Sequence, residues 1–370
     1  MNIGIDIKAF KNGTTGIVRY LANMMDCLQE IDSKNEYFLF ECGVSGYQVH
    51  NPRWRKIPIP HQLTGIVWQQ LFLPYHLRKH RIDVLWAPEQ TCPALKPRDT
   101  RIVTTVHDLV FVHHPETCRL RTRVVFSILS TNAIKQSDVL IAVSEFTKRD
   151  ILRTFRPQGL GGKIHVIPCG KPDWQLPTGY TPRSRQDYLF FAGNLEPRKN
   201  LVNLVRSLEV LKNRGLRIEL RLAGPRGWKN RELFDLLELS SVRDQITCLG
   251  YLDENDLKSE YLKCRAFVYP SIYEGFGIPI LEALCLDCLV LTSRGTVMEE
   301  IAGGAATYFD PHRVEEIAAA IEAVYAGKVG RNASRQESRA RVLESYSWPK
   351  AAESLLSVMT GRLGNEAREE

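Results

Sequence analysis

Short apolar runs that stop at a glycine- or proline-bearing loop and hand over to a helix recur along this chain. That order of strand, loop and helix constrains it to a parallel α/β architecture. The fullest instance is Val268-Tyr-Pro-Ser-Ile-Tyr-Glu-Gly-Phe-Gly-Ile-Pro-Ile-Leu-Glu-Ala-Leu284. A β-rich run, Phe267 to Tyr269, leads into a turn holding Gly275 and Gly277, and an apolar helix opens at Pro279. The first N–H groups of a helix lack partners within it and carry partial positive charge, so a glycine loop at this point can cradle an anion. A Gly-x-Gly before a helix is weak by itself, since most such loops are tight connections. Two carboxylates make the stretch specific: Glu274 in the loop and Glu282 one turn into the helix, eight residues apart.

At 370 residues the chain exceeds one ordinary core and suits two domains. Its 44 % apolar and 25 % charged content is that of a soluble globular protein. No run of about 18 apolar residues is present, and Met1-Asn-Ile-Gly-Ile-Asp6 reads as a buried strand rather than a signal peptide. The expected location is the cytoplasm, with at most peripheral contact at the inner face of the cytoplasmic membrane. Nine cysteines, an odd number with scattered spacing, suit reduced thiols. The net charge of +7 is uneven: residues 1–170 hold 22 Lys and Arg against 14 Asp and Glu, whereas the remainder holds 27 against 28. Clusters such as Arg78-Lys79-His80-Arg81 and Arg119-Leu-Arg121-Thr-Arg123 read either as a solvated face or as attraction to anionic lipid headgroups or a phosphorylated acceptor. Aromatic interleaving and nucleic-acid motifs are absent, so nucleic acid is not an expected partner.

The stretch 268–284 closely resembles the E-x7-E motif of retaining nucleotide-sugar glycosyltransferases, family 4. Further matches are dense from 190 to 312 and sparse before 100. The resemblance implies the GT-B fold, in which two Rossmann-like, doubly wound parallel-sheet domains face each other across a cleft. The expected divisions are 1–171 for an N-terminal acceptor-side domain, 172–187 for a linker, 188–345 for the nucleotide-sugar domain, and 346–370 for a helix crossing back to the first domain.

In the first half, residues 3–7 read as a strand and Ile17 to Ile31 as a helix whose Ile17, Leu21, Met24 and Leu28 share a face. The loop between them, Lys11 to Gly16, with Gly16-Ile-Val-Arg-Tyr20, resembles the family's N-terminal glycine loop. Many members have two adjacent glycines where this chain has Thr15-Gly16. Tyr37 to Glu41 alternates as a strand, Pro52 to Pro74 looks irregular, a helix is expected near Gln69 to His80, and Asp83 to Pro88 is a strand. Trp68 and Trp86 are expected in the core. Arg101-Ile-Val-Thr-Thr-Val-His107-Asp108 is an apolar strand ending in a His-Asp pair, at the carboxyl end where ligands bind in open α/β sheets. By resemblance His107 contacts the donor sugar or phosphate, and Asp108 orients it. His113, His114 and Glu116 lack a metal-ligand spacing. A helix from Thr122 to Gln136 and a strand from Val139 to Val143 lead to Ser144, a good N-cap; Ser144-Glu-Phe-Thr-Lys148 resembles the family's S-x-x-x-K segment at the interdomain cleft, which implies that Ser144 binds the donor. The strand Lys163 to Ile167 closes this half.

Pro172, Pro177, Gly179 and Pro182 give the next segment a linker composition. After the strand Tyr188 to Ala192, Gly193-Asn-Leu-Glu-Pro-Arg-Lys-Asn-Leu201 sets Arg198 and Lys199 ahead of a helix start, and two cations with free N–H groups can converge on one anion there. This run closely resembles the family's diphosphate-binding loop, although several members carry an arginine where Asn194 stands. Strands at Ile218 to Ala223 and Ile246 to Leu249 follow. Gly250-Tyr-Leu252-Asp resembles a loop beside the nucleotide base. Gly275, Phe276, Gly277 and Ile278 complete the donor loop. Asp287 stands where the family has glycine and Leu289 where it has proline; Asp tolerates the left-handed backbone such a helix end prefers. Cys285 and Cys288, without a second pair, read as core thiols. Leu289 to Thr292 is a strand, Val314 to Tyr325 a helix, and a last helix follows Tyr346-Ser-Trp348, with a tail after Gly361 that should fray.

A sugar nucleotide departs as a diphosphate, so negative charge on the leaving phosphate must be stabilised. The sequence has no two aspartates spaced two apart, and neither a metal nor another cofactor is expected. Arg198, Lys199 and the helix N-termini are the electrophilic system instead. The resemblance implies that Glu274 hydrogen-bonds the donor sugar, Glu282 the ribose hydroxyls, and that the leaving phosphate helps deprotonate the acceptor. The implied function is retaining transfer of a hexose, favoured as mannose or a deoxymannose from a GDP-sugar, to a saccharide or lipid-linked saccharide in surface polysaccharide or O-antigen synthesis. A UDP-sugar donor, or a nucleotide-sugar 2-epimerase of the same fold, is the alternative.

Overall fold

The computed structural model of the chain describes residues 1–12, 15–59, 65–118, 120–155, 161–181 and 185–361. Two compact units result: Met1–Leu109 with Arg121–Gly170 and Tyr346–Glu370, and Val110–Leu120 with Lys171–Ser345. Up to residue 170 the elements are β1 (Asn2–Asp6), α1 (Gly16–Ile31), β2 (Glu36–Cys42), β3 (Trp54–Ile59), α2 (Gly65–Leu71), α3 (Leu73–Lys79), β4 (Val84–Ala87), β5 (Arg101–Val106), α4 (Val110–His113), α5 (Leu120–Gln136), β6 (Val139–Ala142), α6 (Glu145–Phe155) and β7 (Ile164–Val166). Next come β8 (Tyr188–Ala192), α7 (Leu201–Asn213), β9 (Glu219–Ala223), α8 (Arg231–Leu239), β10 (Ile246–Gly250), α9 (Glu254–Lys263) and β11 (Ala266–Tyr269). The chain continues through α10 (Ile278–Cys285), β12 (Leu289–Ser293), α11 (Val297–Ala302), β13 (Ala306–Phe309), α12 (Val314–Tyr325), α13 (Ala333–Ser345) and α14 (Trp348–Thr360).

Each unit is built on one parallel sheet, ordered β3-β2-β1-β4-β5-β6-β7 in the first and β10-β9-β8-β11-β12-β13 in the second. Both are Rossmann-like, doubly wound sheets. Strand order reverses between β1 and β4 and again between β8 and β11, and at such reversals the connections leave in opposite directions and open a crevice beyond the carboxyl ends. The strands are apolar on both faces because helices cover both: Ile3, Ile5, Leu85 and Trp86 in the first unit, and Phe190, Phe191, Phe267 and Val268 in the second, have no exposed surface.

The first unit is closed by α14. Its Ala351, Ala352, Leu355, Val358 and Met359 are buried, and it packs against α1, which buries Tyr20, Leu21, Met24, Met25 and Leu28. Gly170 permits this return, because a Cβ there would lie 2.3 Å from the backbone nitrogen of Trp348.

Among the described residues, the region Pro52 to Pro74 holds regular elements, β3, α2 and the start of α3, where irregular chain was expected. β3 pairs in parallel with β2, Trp54 stacks on Tyr37 at 4.2 Å, and the edge position of β3 tolerates Pro58, which has no N–H to give. The expected single helix from Gln69 to His80 is two, α2 and α3, interrupted at Phe72 ahead of Pro74 in the first turn of α3. In the 172–187 segment, two described residues are anchored to the second unit. Trp174 is buried and its Nε1 donates to Glu254, while the Arg185 guanidinium donates to four carbonyls, those of Tyr261, Cys264, Leu286 and Asp287. Pro182, Arg119, part of the loop before Gly16 and the tail beyond Gly361 lie outside the described residues.

Asp287 takes the left-handed backbone, with φ +49°, just past α10. Its carboxylate is also a counter-ion: Arg331 Nε lies 3.1 Å away and Gln336 donates at 2.8 Å, which seats α13 although none of that helix's own residues is buried. Asp287→Gly would therefore relieve about 1 kcal/mol of backbone strain but remove charged hydrogen bonds worth about 1.5–3 kcal/mol each. We expect a net loss of about 2 kcal/mol or more in urea unfolding, with Asp287→Asn intermediate. A glycine variant more stable than wild type by about 1 kcal/mol would mean that these pairs contribute nothing.

Candidate active site

In the second unit, β8 ends at Ala192 and its loop tightens into a single turn, Pro197–Lys199, closed by Lys199 N–H to Glu196 O at 3.0 Å and Asn200 N–H to Pro197 O at 3.0 Å. That turn sends the Lys199 side chain inward, leaving it 5 % exposed. Its Nζ donates to Tyr269 Oη at 2.6 Å and to the Glu274 carboxylate. Arg198 donates to the other Glu274 oxygen and to Tyr273 O at 3.3 Å, and its Nε lies 2.6 Å from Glu196 Oε1. Ile272 N–H donates to Arg198 O at 2.9 Å, tying the two loops together. The β8/β11 reversal thus brings together Arg198, Lys199 and Glu274, all three named from the sequence. It adds Glu196 and Tyr269, which were not.

The electrostatics follow from that packing. Burial alone would raise the Glu274 pKa, but the Arg198 and Lys199 charges and their hydrogen bonds outweigh it and hold the carboxyl at about 2. Burial, reinforced by neighbouring Arg198, pushes the Lys199 ammonium below its ordinary value. Burial raises Glu196, against the pull of Arg198 and Lys199.

The loop after β11 turns at Gly277, whose φ of +123° suits glycine, and α10 starts there with no side-chain cap. Among the described residues the N–H groups of Gly277 and Ile278 have no hydrogen-bond partner. Gly275 and Phe276 are buried beside them. Glu282, 2 % exposed, accepts from Tyr261 Oη at 2.9 Å, a tyrosine that sequence reasoning did not single out. Gly193 and the exposed Asn194 begin the β8 loop, and Gly250, with φ +70°, and Leu252 lie at and beyond the end of β10. A cavity of about 200 Å³ opens at the start of α7, lined by Glu196, Asn200, Asn203, Arg206, Lys229 and Asn230 among others. The C-x-x-C thiols diverge: Cys288 Sγ lies 3.3 Å from Cys264 Sγ, whereas Cys285 donates to Pro172 O.

In the first unit, Gly16 opens α1, which Thr15 caps by accepting from Val18 N–H at 3.3 Å. No atom of the described residues would meet a Cβ at Gly16 within 4 Å. Ser144 is fully buried, and its Oγ accepts from Thr147 N–H at 3.0 Å, so the hydroxyl serves as the cap of α6. His107 follows β5, with its ring edge-on to Tyr20 at 4.9 Å, its N–H on Gln90 Oε1 at 3.1 Å and its Nε2 2.7 Å from Pro88 O. Asp108 beside it is partly buried. Trp68 and Trp86 are core, the latter donating to Thr105 Oγ1. Sequence reasoning missed the polar cluster at the β1/β4 reversal. There Lys8 Nζ lies 2.9 Å from Asp6 and 2.8 Å from Glu89, and Gln69 donates to Asp6 at 2.7 Å. The spacing Asp6-Ile-Lys8 directly after a strand was the available signal.

Because a carbonyl only accepts, His107 Nε2 carries the hydrogen and Nδ1 keeps a lone pair that nothing among the described residues engages. Burial lowers the His107 pKa, against the Pro88 carbonyl and Asp108, so the ring is neutral at pH 7 and suits a sugar hydroxyl better than a phosphate. Its folded pKa lies below the unfolded value of about 6.5. Its contribution to stability is therefore complete above about pH 6.5 and declines as pH falls toward the folded value, because the unfolded chain takes up the proton first. Between about pH 7.5 and 5.5 the wild type should lose more stability in urea than His107→Gln does. Equal slopes would refute the neutral, partly buried ring.

Two family models match the chain: glycosyl transferases group 1 over residues 174–342 and Glycosyltransferase Family 4 over residues 14–171. The chain belongs to this two-domain family of glycosyltransferases, whose fold is GT-B. It is 32 % identical over 243 residues to O-antigen chain mannosyltransferase B of Escherichia coli, across 61 % of this chain and 62 % of that protein. It is 28 % identical over 209 residues to O-antigen chain mannosyltransferase RfbU of Salmonella typhimurium, across 56 % of each. The chain thus spans about three fifths of the length of these curated relatives. Sucrose-phosphate synthase from Thermosynechococcus elongatus shares its fold, with a TM-score of 0.76 at 16 % identity over 98 % of this chain and 99 % of that one.

Proposed function

We propose that the chain is a retaining, metal-independent hexosyltransferase that moves mannose or a deoxymannose from a GDP-sugar to a lipid-linked saccharide, at the cytoplasmic face, in assembly of a surface polysaccharide or O-antigen. The observation that carries the reading is the buried grouping of Arg198, Lys199 and Glu274 at the β8/β11 reversal, beside the uncapped start of α10. The named mannosyltransferases among the relatives support the choice of sugar.

The chemistry follows from charge. As the bond from the anomeric carbon to the β-phosphate oxygen breaks, negative charge collects on the leaving diphosphate. Arg198, Lys199 and the N–H groups of Gly277 and Ile278 meet that charge without reorganising. Glu274 exchanges part of its pairing with the two cations for a hydroxyl of the donor sugar, Glu282 holds the ribose, and His107 Nδ1 accepts from a sugar hydroxyl. The acceptor oxygen attacks from the face the phosphate vacates. Its proton passes to the departing phosphate oxygen, so the enzyme supplies no nucleophile.

One panel tests this: GDP- and UDP-sugars with a saccharide acceptor, with and without chelator, scored for transfer, anomeric configuration and protection against heat unfolding. Retained configuration with a GDP-hexose, indifferent to chelator, is expected. Exclusive use of UDP-sugars would replace the donor, and an epimerised donor formed without acceptor would replace the reaction.

A further inference from the structure

We infer that the outward face of α2 and α3 is a membrane-docking surface for a bilayer bearing anionic headgroups; the inference rests on the lipid-linked acceptor proposed above and locates where the chain meets that lipid. The two helices are apolar on both sides. Inward, Trp68, Leu73 and Leu77 have no exposed surface and join Phe38, Phe40 and Leu85 in one core cluster. Outward, Leu71 is 68 % and Tyr75 62 % exposed, flanked by Ile66, Val67 and Phe72 at 36–39 %. A helix that only covers a core presents polar residues to water, so an apolar outer face signals a partner. Val67, Leu71 and Tyr75 are spaced by four and share one side of the helical path.

Charge identifies the partner. Residues 65–81 contain no Asp or Glu, and Arg78, Lys79 and Arg81, all exposed, follow the apolar stripe directly. None of the three forms an ion pair among the described residues. A second copy packed symmetrically through this face would bring two like-charged groups together, whereas an anionic bilayer neutralises them while its acyl region takes up Leu71, Phe72 and Tyr75. No helix among the described residues is long and apolar enough to cross a membrane, so this contact is made from the surface.

The test uses the full chain and vesicles of phosphatidylethanolamine with about 30 % phosphatidylglycerol, against phosphatidylcholine alone. Co-sedimentation is expected to favour the anionic vesicles by about tenfold or more at low salt and to weaken as salt screens the cations. Leu71→Ser with Tyr75→Ser should cut partitioning about tenfold or more, while the urea midpoint and transfer to a water-soluble acceptor stay unchanged. Arg78→Gln with Lys79→Gln should abolish most of the preference for anionic lipid. Undiminished partitioning of the Leu71/Tyr75 variant would overturn the inference. So would a wild-type dimer in sedimentation that this variant disrupts, because the occupant would then be a second copy. Vesicle binding that behaves as expected without any transfer to a lipid-linked saccharide would instead sink the acceptor proposal and leave the surface standing.

Discussion

Lys199→Ala is expected to lower kcat about 10²- to 10³-fold, the loss typical when one preorganised charge stabiliser is removed from a transition state. The effect should fall on kcat more than on KM, since the charge that Lys199 meets grows as the diphosphate leaves. The fold should survive. Glu274 keeps Arg198, and Tyr269 Oη, 3.3 Å from Glu274 Oε1, stays to hydrogen-bond it. Burial lowers the Lys199 pKa in the wild type, with Arg198 adding to it, so the ammonium is lost at a lower pH than an ordinary lysine and kcat should fall on that alkaline limb. The variant should show no such limb. Transfer within about threefold of wild type, with an unchanged pH profile, would remove Lys199 from the phosphate site.

Much of this site was legible because its residues are local in sequence. Arg198 and Lys199 are adjacent, and Gly275, Gly277 and Glu282 follow Glu274 within one strand-loop-helix unit; reading that unit needed only the period of the apolar residues and the positions of glycine. The βα rhythm likewise anticipated most strands of both sheets, because strands covered by helices on both faces are runs of apolar residues that stand out. What stayed hidden depends on contacts between distant segments. Tyr269 meets Lys199 only once β8 and β11 pair, and Lys8 meets Glu89 only across the β1/β4 reversal. β3 was obscured by Pro58, harmless at an edge, and α13 by its lack of an apolar face, since it is held by arginines reaching Asp287 and the carbonyl groups of Leu284 and Cys285. Ser144 was legible as a local signal too: the N-cap read from the sequence is the cap of α6.

Glu274→Gln should separate the structural and catalytic duties of that carboxylate. At neutral pH the group is fully ionised, because Arg198 and Lys199 hold its pKa at about 2 despite burial, so glutamine removes a real charge. Two largely buried cations then keep Glu196 as a nearby acidic partner, and breaking a buried pair in this way costs about 3–5 kcal/mol. The linkage has a definite sign. A depressed carboxyl pKa gives stability that is complete above the unfolded value of about 4.3 and is lost as pH falls toward the folded one. The gap between wild type and variant should therefore be constant from about pH 5.5 to 8 and close only in acid. A nucleoside diphosphate brings its own negative charges to the same cations, so it should restore what the substitution removed. Saturating GDP is expected to raise the unfolding temperature of Glu274→Gln by more than it raises that of the wild type, while turnover falls because the carboxylate that receives the sugar hydroxyl is gone. A smaller GDP shift in the variant would place the diphosphate away from Arg198 and Lys199 and would remove the electrostatic basis of the proposed reaction.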